Sequence, residues 1–164
     1  WMESVGEGVP GYVTPKVAIG AIVGNEEGKI LLVQRKDSGV WLYPTGWADV
    51  GYSPAEVAMK EVEEETGVIA EPLQLLGVVD GMRMGFSRFG MYMILFHLRA
   101  TGGELQGHPL ETGDVGWFGP DELPTPTAGA QWWGDMAFAA IAGVINPATF
   151  DAPREHMWRG DHST

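Results

Sequence analysis

Short apolar runs separated by polar turns recur along the chain and predict a sheet. Val17–Val23 and Ile30–Val33 flank the turn-like segment 24–28, and this arrangement predicts a β-hairpin. Further runs predict a short strand within 39–46, longer strands at Val68–Asp80 and Met91–Ala100, and a last short strand at Val115–Phe118. The Ala-rich stretch Ala128–Val144 is long enough for a helix.

A stronger helix is predicted between Ser53 and Gly67, because the sequence marks both of its ends. Ser53 and Glu56 have the spacing of a capping box, in which each side chain accepts a hydrogen bond from a free backbone N–H of the other residue. Pro54 fits the first helical position, where its missing donor costs nothing. Gly67 supplies the left-handed residue that commonly ends a helix.

The side chains of this helix fall on three faces when successive residues are placed about 100° apart. The predicted buried stripe consists of Ala55, Ala58 and Val62. The opposite, solvated face carries Glu56, Lys60 and Glu63. A flank beside the buried stripe carries three carboxylates within reach of one another, those of Glu61, Glu64 and Glu65.

The three flank carboxylates repel one another and oppose the negative end of the helix dipole. Like-charged pairs at this spacing cost roughly 0.2–0.5 kcal/mol each, and each anion near a helix C-terminus costs roughly 0.3–1 kcal/mol. A hard divalent cation would turn this repulsion into coordination, because it takes carboxylate oxygens as ligands. A solvated, Glu-rich surface is the alternative.

Length and composition limit the classes of protein to which this chain can belong. With 164 residues, the chain has the length of one domain, which we predict at 13–145, after a lead-in segment or upstream remnant at 1–12 and before a tail at 146–164. A net charge of −12 argues against nucleic-acid binding, which needs a basic surface. No apolar run reaches the roughly 20 residues of a membrane span, and there is no cysteine. We therefore expect a cytoplasmic protein with no membrane partner.

The stretch Gly46–Val68 resembles the Nudix box. That pattern is a Gly, five residues, a Glu, seven residues, and then Arg-Glu-aliphatic-x-Glu-Glu-x-Gly-aliphatic. The positions that fit are Gly46, Glu61, Val62, Glu64, Glu65, Gly67 and Val68. Two positions depart, since Tyr52 stands where the first Glu belongs and Lys60 where the Arg belongs. With "GYVTPK" before it and "GDVGWF" after it, the box is similar to a bacterial branch of ADP-ribose pyrophosphatase-like proteins.

The resemblance implies an α/β/α sandwich with a mixed β-sheet. The ligands of Mg²⁺ or Mn²⁺ that it implies are Glu61, Glu64, Glu65 and the carbonyl of Gly46. A downstream acid often completes such a site, and Glu111 is our candidate, with Asp114 behind it. Glu64 and Glu111 are both candidates for the general base.

Candidates for contacts with a substrate lie outside the box. The basic residues proposed for phosphate contacts are Arg35, Arg83 and Arg88. Phe86 or Phe89 is the candidate for stacking on a base, and an ordinary exposed loop is the alternative for all of these residues. Trp132–Trp133 predicts a buried helix face, with a contact in a homodimer as the alternative. His97, inside an apolar strand, is expected to be a satisfied core histidine and not a metal ligand.

Three functions are compatible with these features. The first is metal-dependent hydrolysis of a nucleoside diphosphate linked to another moiety, such as ADP-ribose or a similar nucleotide sugar. The second is pyrophosphohydrolysis of a nucleoside triphosphate, of the nucleotide-cleaning kind. The third is a Nudix-fold ligand sensor or interaction domain without catalysis. The three retained glutamates favour a hydrolase of small nucleotides, because a sensor has no need to tolerate their mutual repulsion.

Overall fold

The computed structural model describes residues 14–110 and 112–153. Along these residues the elements are β1 (Lys16–Gly24), β2 (Ile30–Arg35), β3 (Trp41–Leu42), β4 (Thr45–Trp47), α1 (Pro54–Thr66), β5 (Val68–Asp80), β6 (Met91–Gly103), β7 (Thr112–Phe118), α2 (Ala130–Ile141) and β8 (Thr149–Phe150). The sheet has the order β3-β2-β1-β6-β5-β8, with β4 beside β1 and β7 beside β2. β1 pairs with β6 in parallel, as β5 does with β8, while the other pairs are antiparallel. The predicted mixed sheet is confirmed.

The two helices cover opposite faces of the sheet. Successive residues of a strand point to opposite faces, so the strand residues buried with each helix show which face it covers. The strand residues buried with α1 include Ile19, Val23 and Leu98. Those buried with α2 include Ile22, Ile30 and Leu95. The chain therefore has the predicted α/β/α layers. Within the described ranges, neither helix has the length and hydropathy that crossing a membrane requires.

The predicted strands and helices are present, with shifts at some ends. The hairpin of β1 and β2 is antiparallel as expected, and β6 continues to Gly103. β7 begins at Thr112, before the predicted start. α2 is shorter than predicted because Gly129 and Gly143, with φ of 65° and 90°, adopt left-handed backbone conformations that a helix excludes.

The fold continues past residue 145, where we predicted that a tail begins. β8 pairs with β5, and Phe150 lies opposite Val78. The Asp151 carboxylate then accepts a hydrogen bond of 2.6 Å from the N–H of Asp80. These contacts hold the short strand at the edge of the sheet, although too few of its residues are apolar to mark a strand in the sequence.

α1 begins and ends where the sequence places its caps. Ser53 Oγ accepts a hydrogen bond of 3.3 Å from the Glu56 N–H, and Glu56 Oε2 accepts one of 2.6 Å from the Ser53 N–H. Gly67 is left-handed, with φ of 71°. The buried stripe differs from the prediction, since Ala55 is only half-buried and Val57 is fully buried in its place.

His97 lies on β6 and is buried, as predicted. Its Nδ1 atom has no hydrogen-bond partner among the described residues, so the expectation of a satisfied histidine is wrong. Burial disfavours the imidazolium and lowers the pKa of His97.

Candidate active site

A cleft of about 980 Å³ opens beside the second half of α1. Its walls come from β1, β2, β4, β6, α1, the loop 81–90 and the start of α2. The box residues that line it include Gly46, Glu61 and Glu65. The fold therefore brings two of the three flank carboxylates to one concave site.

Glu61 reaches the cleft because residue 46 has no side chain. The Glu61 side chain is only 16% exposed, and its carboxyl group lies directly against Gly46. A Cβ atom on residue 46 would lie 2.0–2.5 Å from the three atoms of that group, closer than van der Waals contact allows. Gly46 therefore makes room for Glu61, while metal coordination by its carbonyl stays a prediction.

The carboxylate of Glu65 is held by the same short strand. Glu65 Oε2 accepts a hydrogen bond of 3.2 Å from the N–H of Thr45. β4 is itself fixed by antiparallel pairing with β1, in which Gly46 lies opposite Ile19. One short strand thus contacts both carboxylates of the cleft.

Glu64 is not among the residues that line the cleft, and its side chain is 55% exposed. Lys60 Nζ lies 3.3 Å from Glu64 Oε2, 3.1 Å from Asp49 Oδ2 and 3.8 Å from Glu61 Oε1. The hydrogen bonds to Asp49 and to Glu64 raise the pKa of Lys60 above its usual range. Lys60 was predicted on the solvated face, but its ammonium group binds the acidic flank.

The chemistry of the cleft carboxylates fits a hard divalent cation. Mg²⁺ takes oxygen ligands and is often held by one or two carboxylates, with waters and substrate phosphates completing its shell. Glu61 and Glu65 provide such a pair of carboxylates. The described residues contain no cluster of three or more side chains placed to hold a metal ion, and the Glu64 carboxylate is paired with Lys60.

The segment 104–110 is tied to the C-terminal end of α1. The N–H groups of Gln106 and His108 donate to the carbonyls of Thr66 and Glu65, at 2.8 Å and 3.2 Å. These bonds satisfy carbonyls that a helix end leaves without partners. Glu111 lies outside the described residues, although both of its neighbours in the chain line the cleft.

The predicted acid Asp114 is exposed on β7, where its Oδ1 accepts a hydrogen bond of 2.8 Å from the N–H of Val115. It is not among the residues that line the cleft. The described structure therefore does not bring it to Glu61 and Glu65.

Arg35 lines the cleft at the end of β2. Its guanidinium donates to both carboxylate oxygens of Asp37, with distances of 3.1 Å from Nε and 2.8 Å from Nη2. These hydrogen bonds lower the pKa of Asp37 to about 2. The pair occupies one edge of the planar guanidinium beside the cleft.

The remaining substrate candidates lie in the loop 81–90. Phe86 lines the cleft, whereas Arg83 and Arg88 do not. Arg83 donates a hydrogen bond of 2.7 Å to the carbonyl of Ala152, and Arg88 is exposed. Phe89 contacts Trp47, with 6.0 Å between the ring centroids.

The structure adds cleft residues that we did not predict, namely Lys36, Trp47, Gln131 and Trp132. For Trp132, the sequence contains a signal that we missed, namely its position next to Trp133. Consecutive helical residues point about 100° apart, so two adjacent tryptophans do not share one narrow buried stripe. Trp133 is fully buried, and Trp132 reaches the cleft. A contact of this pair in a homodimer stays a prediction.

Comparison with known proteins identifies the family. The family model described as the NUDIX domain matches residues 14–137. The chain belongs to the Nudix family. Nudix hydrolases are pyrophosphatases that act on phosphorus anhydrides, and they generally use divalent cations. The resemblance of Gly46–Val68 to the Nudix box is thereby confirmed.

Individual relatives carry different substrate names. A Bacillus subtilis (strain 168) protein named "Putative ADP-ribose pyrophosphatase YjhB" is 37% identical over 121 residues, which are 72% of this chain and 57% of that protein. A "Putative 8-oxo-dGTP diphosphatase" of the same organism is 38% identical over 103 residues, which are 63% of this chain and 66% of that protein. The chain thus spans less than two thirds of the length of either protein.

Among solved structures, an ADP-ribose pyrophosphatase from Streptococcus suis 89-1591 is 31% identical, with a TM-score of 0.71. The match covers 84% of this chain and 100% of that chain. The α/β/α fold described above is therefore a Nudix fold.

Proposed function

We propose that this protein hydrolyses the pyrophosphate bond of a nucleoside diphosphate linked to another moiety, with ADP-ribose as the preferred substrate. The observation that carries the proposal is that β4 contacts both carboxylates inside the cleft, Glu61 at Gly46 and Glu65 at Thr45. Carboxylates near the C-terminal end of a helix are unfavourable without a positive partner. Their position in a cleft, instead of on the solvated face, supports a role in catalysis.

The proposed ligands of Mg²⁺ or Mn²⁺ are the carboxylates of Glu61, Glu65 and Glu64 and the backbone carbonyl of Gly46. Bound there, such a cation would neutralise phosphate oxygens and lower the pKa of a coordinated water. Lys60 Nζ lies 3.3 Å from the Glu64 carboxylate and already neutralises part of its charge, which weakens this ligand.

The other proposed roles belong to residues around the carboxylates. Arg35 and Lys36 are the cationic side chains among the residues that line the cleft, and both can donate charge-assisted hydrogen bonds to phosphate oxygens. Glu64 and Glu111 remain the candidates that accept a proton from the attacking water. Arg83 and Arg88 remain weaker candidates, because neither lines the cleft.

Two observations support ADP-ribose as the substrate. The names of the Bacillus subtilis relative and of the Streptococcus suis structure both include ADP-ribose pyrophosphatase. The cleft volume of about 980 Å³ also lies at the upper end of the roughly 300–1,000 Å³ typical of ligand sites, which suits a substrate with two sugar groups.

Hydrolysis of a nucleoside triphosphate is the second candidate function. The relative named for 8-oxo-dGTP, at 38% identity, favours it. The two functions differ in their products, because a triphosphate would release pyrophosphate, whereas ADP-ribose would give AMP and ribose 5-phosphate.

A substrate panel tests the proposal. We would compare kcat/KM for ADP-ribose, UDP-glucose, GDP-mannose and nucleoside triphosphates with Mg²⁺, with Mn²⁺ and with a chelator, and separate the products by chromatography. The proposal predicts the highest kcat/KM for ADP-ribose and no turnover in the chelator. A higher value for a triphosphate, with release of pyrophosphate, would favour the second candidate.

A cytoplasmic location is also part of the proposal. The absence of cysteine and the intracellular origin of nucleotide substrates support it. Fractionation of cells that express the natural protein tests it, and recovery in a membrane or secreted fraction would contradict it.

A further inference from the structure

A second pocket, the turn pocket, lies at the turn between β1 and β2. Its volume of about 500 Å³ falls within the roughly 300–1,000 Å³ that is typical of small-molecule sites. The turn 24–28 forms one wall, and the other lining residues are Leu73, His97, Arg99, Ile141 and Ala142. Among the described residues, none lines both this pocket and the cleft. The turn pocket is therefore separate from the proposed catalytic site.

His97 is the lining residue whose polar atoms the fold does not use. It is only 5% exposed, yet neither ring nitrogen forms a hydrogen bond with a described residue. Gln74 lies opposite His97 in the pairing of β5 with β6, but its amide donates to the carbonyl of Val144, at 3.2 Å. Buried polar side chains nearly always have a partner in folded proteins. The imidazole therefore has hydrogen-bonding capacity that a ligand in the turn pocket can use.

The charges around the turn pocket favour a cation over an anion. Glu26 and Glu27 both line it, and within the described part of the chain Glu26 makes no ion pair. The negative end of the α2 dipole lies at Ile141, and the last turn of that helix contains no basic residue. The guanidinium of Arg99 is already paired with the Glu71 carboxylate. An anion would therefore meet more negative than positive charge.

The turn pocket also has an apolar part, which consists of Leu73, Ile141 and Ala142. The Leu73 side chain leaves 52% of its residue surface exposed, so a ligand can cover it. Gly24 lets the end of α2 approach the turn, because a Cβ atom on residue 24 would lie 2.7 Å from Ile141 Cγ1. The pocket thus combines apolar surface with carboxylates and an imidazole.

We propose that the turn pocket binds an aliphatic primary amine in its protonated form. The ammonium group donates hydrogen bonds to the imidazole of His97 and to the carboxylate of Glu26, and the alkyl chain covers Leu73. An ammonium has three donors and no acceptor, so one group can serve both partners. This inference goes beyond the proposed function and does not depend on it, because the two sites share no lining residue.

An NMR titration of the full chain with three ligands of similar shape tests the inference. At neutral pH, n-hexylamine carries the ammonium, 1-hexanol is its neutral counterpart and hexanoate carries the opposite charge. The inference predicts that hexylamine binds at least about tenfold more tightly than 1-hexanol, the lower end of what hydrogen bonds to a charged group contribute. The resonances that change should be those of the His97 ring and of the Gly24 and Gly28 amides.

Four results of this titration would overturn the inference. They are no binding of hexylamine, equal binding of the three ligands, tighter binding of hexanoate, and changes at Thr45 and Gly46 of the cleft with none at the turn 24–28. The last result would show that the amine binds the carboxylates of the cleft instead.

Variants assign the binding to its two proposed polar contacts. His97→Phe should remove most of the preference for hexylamine over 1-hexanol. Glu26→Gln should weaken hexylamine binding at least about twofold, the scale of an exposed ion pair. Glu63→Gln is the matched control, because it removes the same charge from an exposed position on α1 outside the turn pocket. Its affinity for hexylamine should equal that of the wild type.

Glu26→Gln decides the test if His97→Phe fails to fold, because Glu26 is exposed. Thermal unfolding of each variant without ligand separates loss of binding from loss of folding. Hexylamine affinity that is the same in Glu26→Gln as in Glu63→Gln would refute the ammonium site, since the amine would then respond only to the net charge of the protein.

Discussion

Lys60 and Glu64 form an ion pair one turn apart on α1, with 3.3 Å between Nζ and Oε2. The same ammonium lies 3.8 Å from Glu61 Oε1, which belongs to the cleft. Lys60 therefore offsets part of the repulsion among carboxylates at an unfavourable helix end. Lys60 occupies the Nudix-box position where Arg is usual. Its ammonium group, which is more compact than a guanidinium, also forms an ion pair with Asp49.

Lys60→Gln should lower thermal stability more in a chelator than in Mg²⁺. Without the ammonium, Asp49, Glu61 and Glu64 lose a shared partner, and a divalent cation would replace part of that neutralisation. Melting temperatures in the two buffers measure the effect. Lys60→Arg, which keeps the charge, serves as the control. An equal loss in both buffers would show that the carboxylates near Lys60 do not share a cation.

Gly46→Ala should greatly lower activity while changing stability little. The added methyl group collides with the Glu61 carboxyl, which must leave its place, but a side-chain end moves at small energetic cost. We expect kcat to fall at least about a hundredfold, the scale of losing a positioned catalytic group. Urea unfolding and steady-state kinetics provide the two readouts.

Gly102→Ala is the matched control for that substitution. Gly102 also lies in a strand, and a Cβ atom there would meet nothing within 4 Å. It should retain normal kinetics. If Gly46→Ala is as active as Gly102→Ala, the contact between residue 46 and Glu61 has no role in catalysis.

The part of the site on α1 could be predicted, because it depends on interactions between residues that are close together in the sequence. The Ser53 and Glu56 caps and the left-handed Gly67 fixed the length of the helix, so the spacing of Glu61 and Glu65 placed them on one flank. These features depend on interactions within a few residues, which the sequence displays directly. The capping hydrogen bonds and the cleft positions of both glutamates agree with that prediction.

Contacts between distant segments explain what the sequence did not reveal. Lys60 was assigned to solvent although Glu64 is a local partner at i,i+4, and its second partner, Asp49, lies in the loop before the helix. β8 forms only because β5 offers an edge on which it can pair. Trp132 contacts Phe86 of the loop 81–90, which lies far from it in the sequence. Apart from the i,i+4 pair of Lys60 and Glu64, none of these pairings has a local pattern.

Acidification should destabilise the wild type more than a His97→Gln variant. Burial lowers the folded-state pKa of His97, so the unfolded chain takes up a proton first as the pH falls below about 6.5. Stability is therefore lost from about pH 6.5 downward until the folded-state pKa is reached. The loss is at most about 1.4 kcal/mol per pH unit. Urea unfolding of both proteins between about pH 7 and 5 measures it, and parallel profiles would contradict the account.

Mg²⁺ should raise the melting temperature of the wild type, because only the folded state would assemble the proposed cation site. Glu61→Gln and Glu65→Gln should lose most of this increase. Glu64→Gln should lose less, since Lys60 already neutralises part of the charge of its carboxylate. Equal increases in all three variants would show that Mg²⁺ stabilises the protein elsewhere.

Turnover of ADP-ribose by Glu65→Gln and Glu63→Gln tests the central claim most directly. Both residues lie near the C-terminal end of α1 and share the dipole penalty, but Glu65 accepts from Thr45 in the cleft while Glu63 is exposed. With saturating Mg²⁺, the account predicts that Glu65→Gln loses at least about a hundredfold in kcat while Glu63→Gln stays near the wild type. Equal activity of the two variants would contradict it, because the glutamates would then be only a solvated surface.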